Sequence, residues 1–384
     1  MPRKLSLLLL FLLPGCAAAQ TVRPAITTPD TLDRYIEREM RERRIPGLAL
    51  AITRNGQILG QRGYGLASVQ NDVPVTPATR FALASLTKQF TAVGIMMLVE
   101  EGKIDLDASI TRYLSDAPPS WQPVTVRHLL THTSGMPPIG EGFRGDPRGM
   151  YDQVWISTAE SWAAARTDTL HSRPGQRWAY SDVGYFVLGI VTEQVSGTSW
   201  REFMRGRIFE PLGMTDTFIL DHVGIHRNLA HGYTLRNDTL INLHRPWQFE
   251  QPSHFGIFST VGDLAKWDAA LYTDRLLSES SRRQMWTPVR LSDGSTHPYG
   301  FGWEVERPCG HAMMRHTGIT GTEMVRLPDD TVTVIVLTNL GRGFGGTARS
   351  WGIAREIGRM LVPALQCPSP GDPGPARPVQ RSRP

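Results

Sequence analysis

Ser85 and Lys88 are the first residues whose types and spacing suggest chemistry, three positions apart in the stretch FALASLTKQF. Lysine is rare in this chain, with four lysines among 41 basic residues. On a helix, residues at i and i+3 lie side by side. A serine is a poor nucleophile until a base takes its proton, and a lysine can be that base if burial lowers its pKa from about 10.4. The pair therefore predicts an activated serine, and the alternative is a helix-capping serine beside a lysine in solvent.

Two later stretches carry polar residues at the edges of predicted elements. Tyr180-Ser181-Asp182 comes directly before an apolar helix pattern, and His316-Thr317-Gly318 precedes TVTVIVLTNL, a strong strand pattern. A tyrosine hydroxyl has an ordinary pKa of about 10, so it exchanges protons near neutral pH only beside a cation such as Lys88. Tyr180 is therefore a candidate proton carrier.

In order and separation, these stretches resemble the three boxes of the serine β-lactamase and penicillin-binding protein superfamily, over roughly Leu32 to Leu361. In particular they are similar to those of class C β-lactamases, D-alanyl-D-alanine carboxypeptidases and esterases of the same fold. Connecting phrases such as VTVRHLLTHTSGM and YGFGW have the same character. The resemblance implies an α/β (α+β) fold of the β-lactamase/transpeptidase type, in which an antiparallel sheet flanked by helices joins a mostly helical subdomain.

The resemblance also implies a role for each matched residue. Ser85 would be the acylated nucleophile, Lys88 part of the base system, and Tyr180 the proton shuttle between Ser85 and the leaving group. The oxyanion hole would use the backbone N–H groups of Ser85 and Ile319. The residues expected to bind substrate are Asp182, His316, Thr317 and Gly318, with Thr317 contacting a carboxylate or carbonyl.

Two positions depart from the class C pattern. Asp182 stands where those lactamases have asparagine, and an ionised carboxylate only accepts hydrogen bonds. We expect Asp182 to hold Lys88 charged, which favours Tyr180 as the base. His316 stands where they have lysine, and an ordinary histidine becomes charged only below about pH 6.5. Carboxylate-bearing substrates are therefore expected to bind better in acid, unless buried neighbours shift the pKa of His316. Both changes favour an esterase or a D-Ala-D-Ala carboxypeptidase-like enzyme over a dedicated β-lactamase.

Other motifs carry weaker predictions. His128 and His132 have the i, i+4 spacing of zinc ligands, but a catalytic zinc site needs a third protein ligand and no H-E-x-x-H signature is present. We expect packing or hydrogen-bonding histidines there. Gly341 to Gly346 (GRGFGG) lacks the βαβ unit of a dinucleotide site and is predicted to be a flexible loop. The sequence thus predicts neither a metal nor a cofactor.

Sheet and helix patterns must position these residues. Leu32, Ile36 and Met40 have helical spacing, and Asn55-Gly56 suits a type I′ turn between two strands. We predict a single domain over residues 25–363, with sheet regions at about 25–80 and 290–363 and a helical region at about 81–289. The Pro- and Arg-rich tail, residues 364–384, is predicted to be disordered.

The N-terminal residues and the charge bear on localisation. Residues 1–19 have the basic start, short apolar run and small residues of a signal peptide. We expect export to the periplasm or secretion, with lipidation of Cys16 as an open alternative and no transmembrane span. Cys309 and Cys367 could pair in an oxidising compartment. The net charge of +5 is spread out, without a basic block, so nucleic-acid binding is not expected.

Together these observations predict a monomeric serine hydrolase that works through a Ser85 acyl-enzyme. It would act on an ester, amide or β-lactam carbonyl of a small molecule or peptide, cell-wall peptides and β-lactams included. One alternative is a penicillin-recognising binding or sensor protein with little or no turnover. Another is a peptidoglycan-associated lipoprotein whose pocket is vestigial.

Overall fold

The largest sheet of the fold has seven antiparallel strands. The structure is a computed structural model that describes residues 29–137, 157–221, 224–243, 252–341 and 349–367. The strands of the described chain are β1 (Gly47–Arg54), β2 (Gln57–Ser68), β3 (Val73–Pro74), β4 (Phe81–Ala82), β5 (Phe218–Ile219), β6 (Tyr233–Arg236), β7 (Thr239–Asn242), β8 (Ile257–Ser259), β9 (Val289–Arg290), β10 (Thr296–His297), β11 (Glu304–Glu306), β12 (Met313–Thr317), β13 (Glu323–Leu327) and β14 (Val332–Thr338). The large sheet has the order β11-β12-β13-β14-β1-β2-β3, so its centre joins the first and last strands of the chain.

Helices cover both faces of this sheet and form the region between its two halves. They are α1 (Pro29–Arg43), α2 (Thr87–Glu100), α3 (Val126–Leu130), α4 (Thr158–Ala165), α5 (Asp182–Ser196), α6 (Trp200–Met204), α7 (Glu210–Leu212), α8 (Pro252–Phe255), α9 (Val261–Ala270), α10 (Glu279–Met285) and α11 (Ile353–Leu361). Within the described ranges, none of these helices combines the length and apolarity that a bilayer span requires.

Side chains along β1 point alternately to the two faces of the sheet, and each face packs against different helices. Leu48, Leu50 and Ile52 point to the face covered by α1 and α11, where they share one apolar cluster with those helices. Ala49 and Ala51 point to the other face and join the larger core that includes α2, α5 and α9. Small side chains on that face let α9 approach the sheet closely.

A buried ion pair ties α9 to the sheet. Arg326 on β13 donates from Nε to Asp268 Oδ1 over 2.6 Å, and both side chains are fully buried. The Asp268 carboxylate also accepts the hydroxyls of Thr53 on β1 and Thr333 on β14, each at 2.8 Å. The three partners lie on three different strands, and Asp268 itself lies on α9. This carboxylate therefore fixes how α9 lies across the sheet centre.

The hairpin turn and the helix predicted from Ser85 can each be compared with the structure. The hairpin turn is confirmed, because Asn55 and Gly56 have φ values of 50° and 71°, as a type I′ turn requires. The predicted helix from Ser85 is instead a 3₁₀ turn over Ala84–Leu86 that leads into α2 at Thr87. The α2 helix is also buried on nearly every side rather than along one apolar stripe.

The C-terminal end of the described chain is ordered beyond the predicted boundary at residue 363. Leu365 packs into the core and Cys367 forms a disulfide with Cys309, whose Cα lies 5.7 Å away. The predicted disorder of residues 364–367 is therefore wrong, because this disulfide and the burial of Leu365 hold them. The predicted signal peptide, Cys16 and residues 368–384 lie outside the described residues, as does most of the GRGFGG stretch.

Candidate active site

Ser85 lies in the 3₁₀ turn that precedes α2, and neighbouring strands hold this turn in place. The Leu83 N–H donates to Ile257 O on β8 over 2.9 Å, and Thr87 Oγ1 accepts the Ile257 N–H over 3.2 Å. Ala84 has a φ of 50°, a left-handed conformation that is uncommon for a residue with a Cβ atom. Such strain persists only where surrounding contacts enforce it, and it places Ser85 at the amino end of α2.

Lys88 is completely buried, and all three of its ammonium hydrogens have acceptors. Its Nζ lies 3.2 Å from Ser85 Oγ, 2.7 Å from Asp182 Oδ1 and 3.1 Å from His254 O. Burial lowers the pKa of Lys88, while the Asp182 carboxylate acts in the opposite direction and the net change is downward. The Asp182 carboxylate therefore acts in the expected direction, by raising this pKa, but the cost of burying the ammonium group is larger.

Asp182 is the first residue of α5 and reaches Lys88 from the opposite side of the cleft. Ser181 caps this helix, accepting the Gly184 N–H at 3.1 Å and donating to Pro137 O at 2.6 Å. Burial alone would raise the pKa of Asp182, but Lys88 holds it below its ordinary range. The lowered pKa means that the Asp182 carboxylate is ionised near neutral pH, and its side chain is 30% exposed.

Tyr180 lies beside Ser85 and Lys88, with Lys88 Nζ 4.9 Å from its ring centre. Burial and then the Asp182 charge raise the pKa of Tyr180 well above 10, although a hydrogen bond with Ser85 acts in the other direction. Its hydroxyl is therefore protonated near neutral pH. These directions favour Lys88 over Tyr180 as the group that first takes the serine proton.

His316 is on β12 and almost completely buried, so it does not present a charge to the cleft. Its Nδ1–H donates to Thr317 O over 2.9 Å, and its Nε2 lies 2.9 Å from the hydroxyl of Tyr299. Burial, followed by the Lys88 charge, lowers the pKa of His316 to about 3. The exception stated for buried surroundings therefore applies, and His316 does not become an imidazolium at about pH 6.5.

The segment after β12 passes against the turn that holds Ser85. A Cβ atom on Gly318 would lie 2.3 Å from Leu83 O, so this close approach requires glycine. Thr320 and Thr322 donate their hydroxyls to Ala82 O and Leu83 O, at 2.6 and 2.9 Å. The Ile319 N–H donates to no acceptor among the residues that the structure describes, and the Ile319 side chain is 45% exposed.

The structure adds three residues that sequence reasoning did not place in the site. His254 accepts from Lys88 through its carbonyl, and no sequence pattern pointed to it. His132 and Tyr299 lie behind Tyr180 and His316. The stretches LLTHTSGM and YGFGW contained these two, but a resemblance of phrases does not show what a side chain contacts.

The pair His128 and His132 does not form a metal site. His128 Nδ1 accepts the Thr125 N–H at 3.2 Å and completes the cap of α3. His132 instead bonds to Ser181 and Tyr299. Across the described ranges, no group of three or more histidine, cysteine, aspartate or glutamate side chains could hold a metal ion.

Comparisons with known proteins show a matching family model and proteins of similar sequence. Residues 32–357 match the family model described as Beta-lactamase. The chain is 31% identical over 316 residues to penicillin-binding protein 4* of Bacillus subtilis (strain 168), covering 74% of this chain and 66% of that protein, just under two thirds of its length.

Two solved structures are similar over most of the chain. The octameric penicillin-binding protein homologue from Pyrococcus abyssi superposes with a TM-score of 0.75 at 29% identity, covering 88% of this chain and 78% of that one. D-amino acid amidase from Ochrobactrum anthropi SV3, complexed with D-phenylalanine, has a TM-score of 0.73 at 26% identity, covering 87% and 98% respectively.

Proposed function

Since the chain belongs to the Beta-lactamase family, we propose that it is a serine hydrolase that forms an acyl-enzyme on Ser85. One observation supports this most directly: the buried amine of Lys88 lies 3.2 Å from Ser85 Oγ. A lysine that burial has made less basic, in contact with a serine at the start of a helix, is suited to activate that serine.

The proposed reaction proceeds in two halves. With Lys88 in its neutral amine form, Ser85 Oγ attacks the substrate carbonyl carbon while its proton passes to Lys88 Nζ. The N–H groups of Ser85 and Ile319 stabilise the resulting oxyanion. When the tetrahedral intermediate collapses, Tyr180 gives its proton to the leaving group and regains one from Lys88. Water then attacks the acyl carbonyl by the same route in reverse, which releases the acid and restores the Ser85 hydroxyl.

The charges near Ser85 favour neutral substrates over carboxylate-bearing β-lactams. His316 supplies no charge, and the Lys88 charge is matched by Asp182. Arg315, the neighbour of His316 on β12, forms ion pairs with Glu304 and Glu306. We therefore propose either an esterase, or a peptidase or amidase that acts on small amides. The similar D-amino acid amidase is also named for an amide substrate.

We also propose that the protein is exported to the periplasm or the medium. The Cys309–Cys367 disulfide suits an oxidising compartment, and the similar penicillin-binding protein 4* comes from the bacterium Bacillus subtilis. A monomer remains our expectation for this chain, although the P. abyssi homologue is octameric.

Labelling and turnover of purified protein test the proposed function. A fluorophosphonate should add once, at Ser85, and p-nitrophenyl esters or D-Ala-D-Ala peptides should turn over faster than nitrocefin. Ser85→Ala should abolish both, whereas Ser280→Ala, at an exposed serine on α10, should change neither. Rapid acylation by penicillin without turnover of any ester or peptide would instead establish the penicillin-recognising sensor. Labelling at another serine would refute the assignment of Ser85.

A further inference from the structure

His132 holds the chain on both sides of Tyr180. Its carbonyl accepts the Ala179 N–H over 2.9 Å, and its Nδ1 accepts the Ser181 N–H over 3.1 Å. Its ring lies 4.2 Å from the Tyr180 ring, centre to centre. His132 is buried and has a φ of 58°, a backbone conformation that costs free energy for a non-glycine residue. The surrounding fold therefore keeps His132 in a strained position that determines where Tyr180 lies.

The partners of each ring nitrogen determine the direction of every hydrogen bond beyond His132. Because Nδ1 of His132 is an acceptor, the neutral ring carries its proton on Nε2, which lies 3.1 Å from Tyr299 Oη. His316 uses Nδ1–H to donate to Thr317 O, so its Nε2 is an acceptor. The Tyr299 hydroxyl then accepts from His132 and donates to His316, over 2.9 Å.

We propose that His132, Tyr299 and His316 form a neutral hydrogen-bonded bridge that positions Tyr180 relative to Thr317 and the proposed oxyanion hole. Tyr299 is its central member and a positioning residue for the hydrolysis proposed above, on which this inference rests. The bridge starts at the segment before α5 and ends on β12, so it spans the helical region and the sheet. It sets the spacing of the two walls of the cleft.

The bridge works only while both histidines are neutral, and the surroundings keep them so. Burial lowers the pKa of His132 well below 6.5, and Lys88, His316 and His297 act in the same direction. For His316, burial and then the Lys88 charge lower the pKa most, the Thr317 carbonyl opposes them, and Arg315 and Asp182 have smaller effects of opposite sign. A proton on His132 Nδ1 would remove the acceptor of the Ser181 N–H, and a proton on His316 Nε2 would remove the acceptor of the Tyr299 hydroxyl.

Nuclear magnetic resonance of protein carrying ¹⁵N-labelled histidine tests the bridge without any substrate. Near neutral pH, His132 should show the Nε2–H tautomer and His316 the Nδ1–H tautomer, with the signals assigned through His132→Asn and His316→Asn variants. The opposite tautomer on either ring, or an imidazolium at either position, would overturn the proposal. Because this readout needs no turnover, it tests the bridge even if the protein fails to hydrolyse any substrate.

Tyr299→Phe removes the central hydroxyl and keeps the ring. We expect kcat on a p-nitrophenyl ester to fall about tenfold or more, with KM changed by less than about threefold, because the bridge aligns reacting groups rather than binding substrate. Fluorophosphonate labelling of Ser85 should slow to a similar degree, and the His316 tautomer signal should change.

The matched control is Tyr64→Phe, which removes a tyrosine hydroxyl that donates to Asp33 over 2.6 Å on the far side of the sheet. It should lower thermal stability to a similar extent but leave kcat and both tautomers unchanged. If Tyr299→Phe matches this control in kcat, or loses activity only in proportion to its unfolded fraction, Tyr299 does not position the catalytic groups.

Discussion

Among single residues, Asp182 acts on both candidate proton carriers, Lys88 and Tyr180. It forms the ion pair with Lys88 and also raises the pKa of Tyr180. Both candidate proton carriers therefore respond to one carboxylate. An asparagine at this position would leave the hydrogen bond to Lys88 in place and remove the charge.

Asp182→Asn should move the acidic limb of the pH–rate profile to lower pH. In the proposed mechanism Lys88 takes the serine proton only as the neutral amine, so kcat/KM should rise as pH increases through the pKa of Lys88. Asp182 opposes the lowering of that pKa by burial, so its removal lets the pKa fall further. The measurement is kcat/KM for a neutral ester from acidic to alkaline pH.

Asp107→Asn provides the control for that experiment. Asp107 accepts from Arg127 over 2.7 Å on the surface, so this change removes the same charge away from Ser85 and should leave the profile in place. An acidic limb that stays unchanged in Asp182→Asn would contradict the role of Lys88 as the titrating base.

The ordered motifs predicted which residues meet at the site, but not their environment. The resemblance placed Ser85, Lys88 and Asp182 in one site, and the structure brings their side chains into contact although Ser85 lies in a 3₁₀ turn before α2. The resemblance did not predict the neutral state of His316. That state depends on Tyr299 and on burial, which come from packing between residues distant in sequence.

At the level of elements, the contact between β12 and the turn before α2 determines the geometry of the cleft. Gly318 permits this contact, and Thr320 and Thr322 secure it. Trp351, just before α11, donates its Nε1–H to Gly318 O over 2.9 Å, so the closing helix also supports the segment.

Gly318→Ala should disrupt this contact. A Cβ atom would lie 2.3 Å from Leu83 O and 2.2 Å from Thr322 Oγ1, so the segment must move away from Ser85. We expect a loss of about 1–3 kcal/mol in the free energy of unfolding, as for other overpacked sites, and a larger relative loss of kcat. Urea unfolding and ester kinetics measure the two effects.

Gly60→Ala on β2 is the matched control, because a Cβ atom there would have no neighbour within 4 Å. It should leave kcat unchanged. Equal kcat values for Gly318→Ala and Gly60→Ala would show that the contact between β12 and the turn has no part in activity.

Elements were predicted best where a short stretch of sequence determines the local structure. β14 is buried at every position, in keeping with a mostly apolar run that only Thr333 interrupts before Thr338, and the Asn55-Gly56 turn follows from its two residue types. The start of α2 was predicted less well. Its apolar residues face all directions, and the preceding turn is held by β8, which lies far along the chain.

For the whole molecule, the Cys309–Cys367 disulfide joins the turn before β12 to the segment after α11 and closes a loop of 58 residues. Cys367→Ser should lower the free energy of unfolding by about 2–4 kcal/mol, because the cross-link restricts the unfolded chain. Since the bond lies outside the proposed catalytic residues, kcat should stay near the wild-type value.

Chemical unfolding with and without a reductant gives the measurement and its control. Reduced wild-type protein should unfold like the Cys367→Ser variant, and the reductant should not affect the variant. Equal stability of oxidised wild type and Cys367→Ser would show that the disulfide does not stabilise the fold.

The pairing of β1 with β14 has a consequence for how the chain acquires its structure. Leu48 pairs with Thr338, so the centre of the sheet joins residues separated by most of the chain. Contacts of such long sequence separation slow folding, because the intervening chain must be ordered before they form. The proposed site has the same property, since Ser85 comes early and His316 late. A nascent chain therefore has neither a complete sheet nor a working site until its last strands emerge, and a translocated chain would gain both only after crossing the membrane.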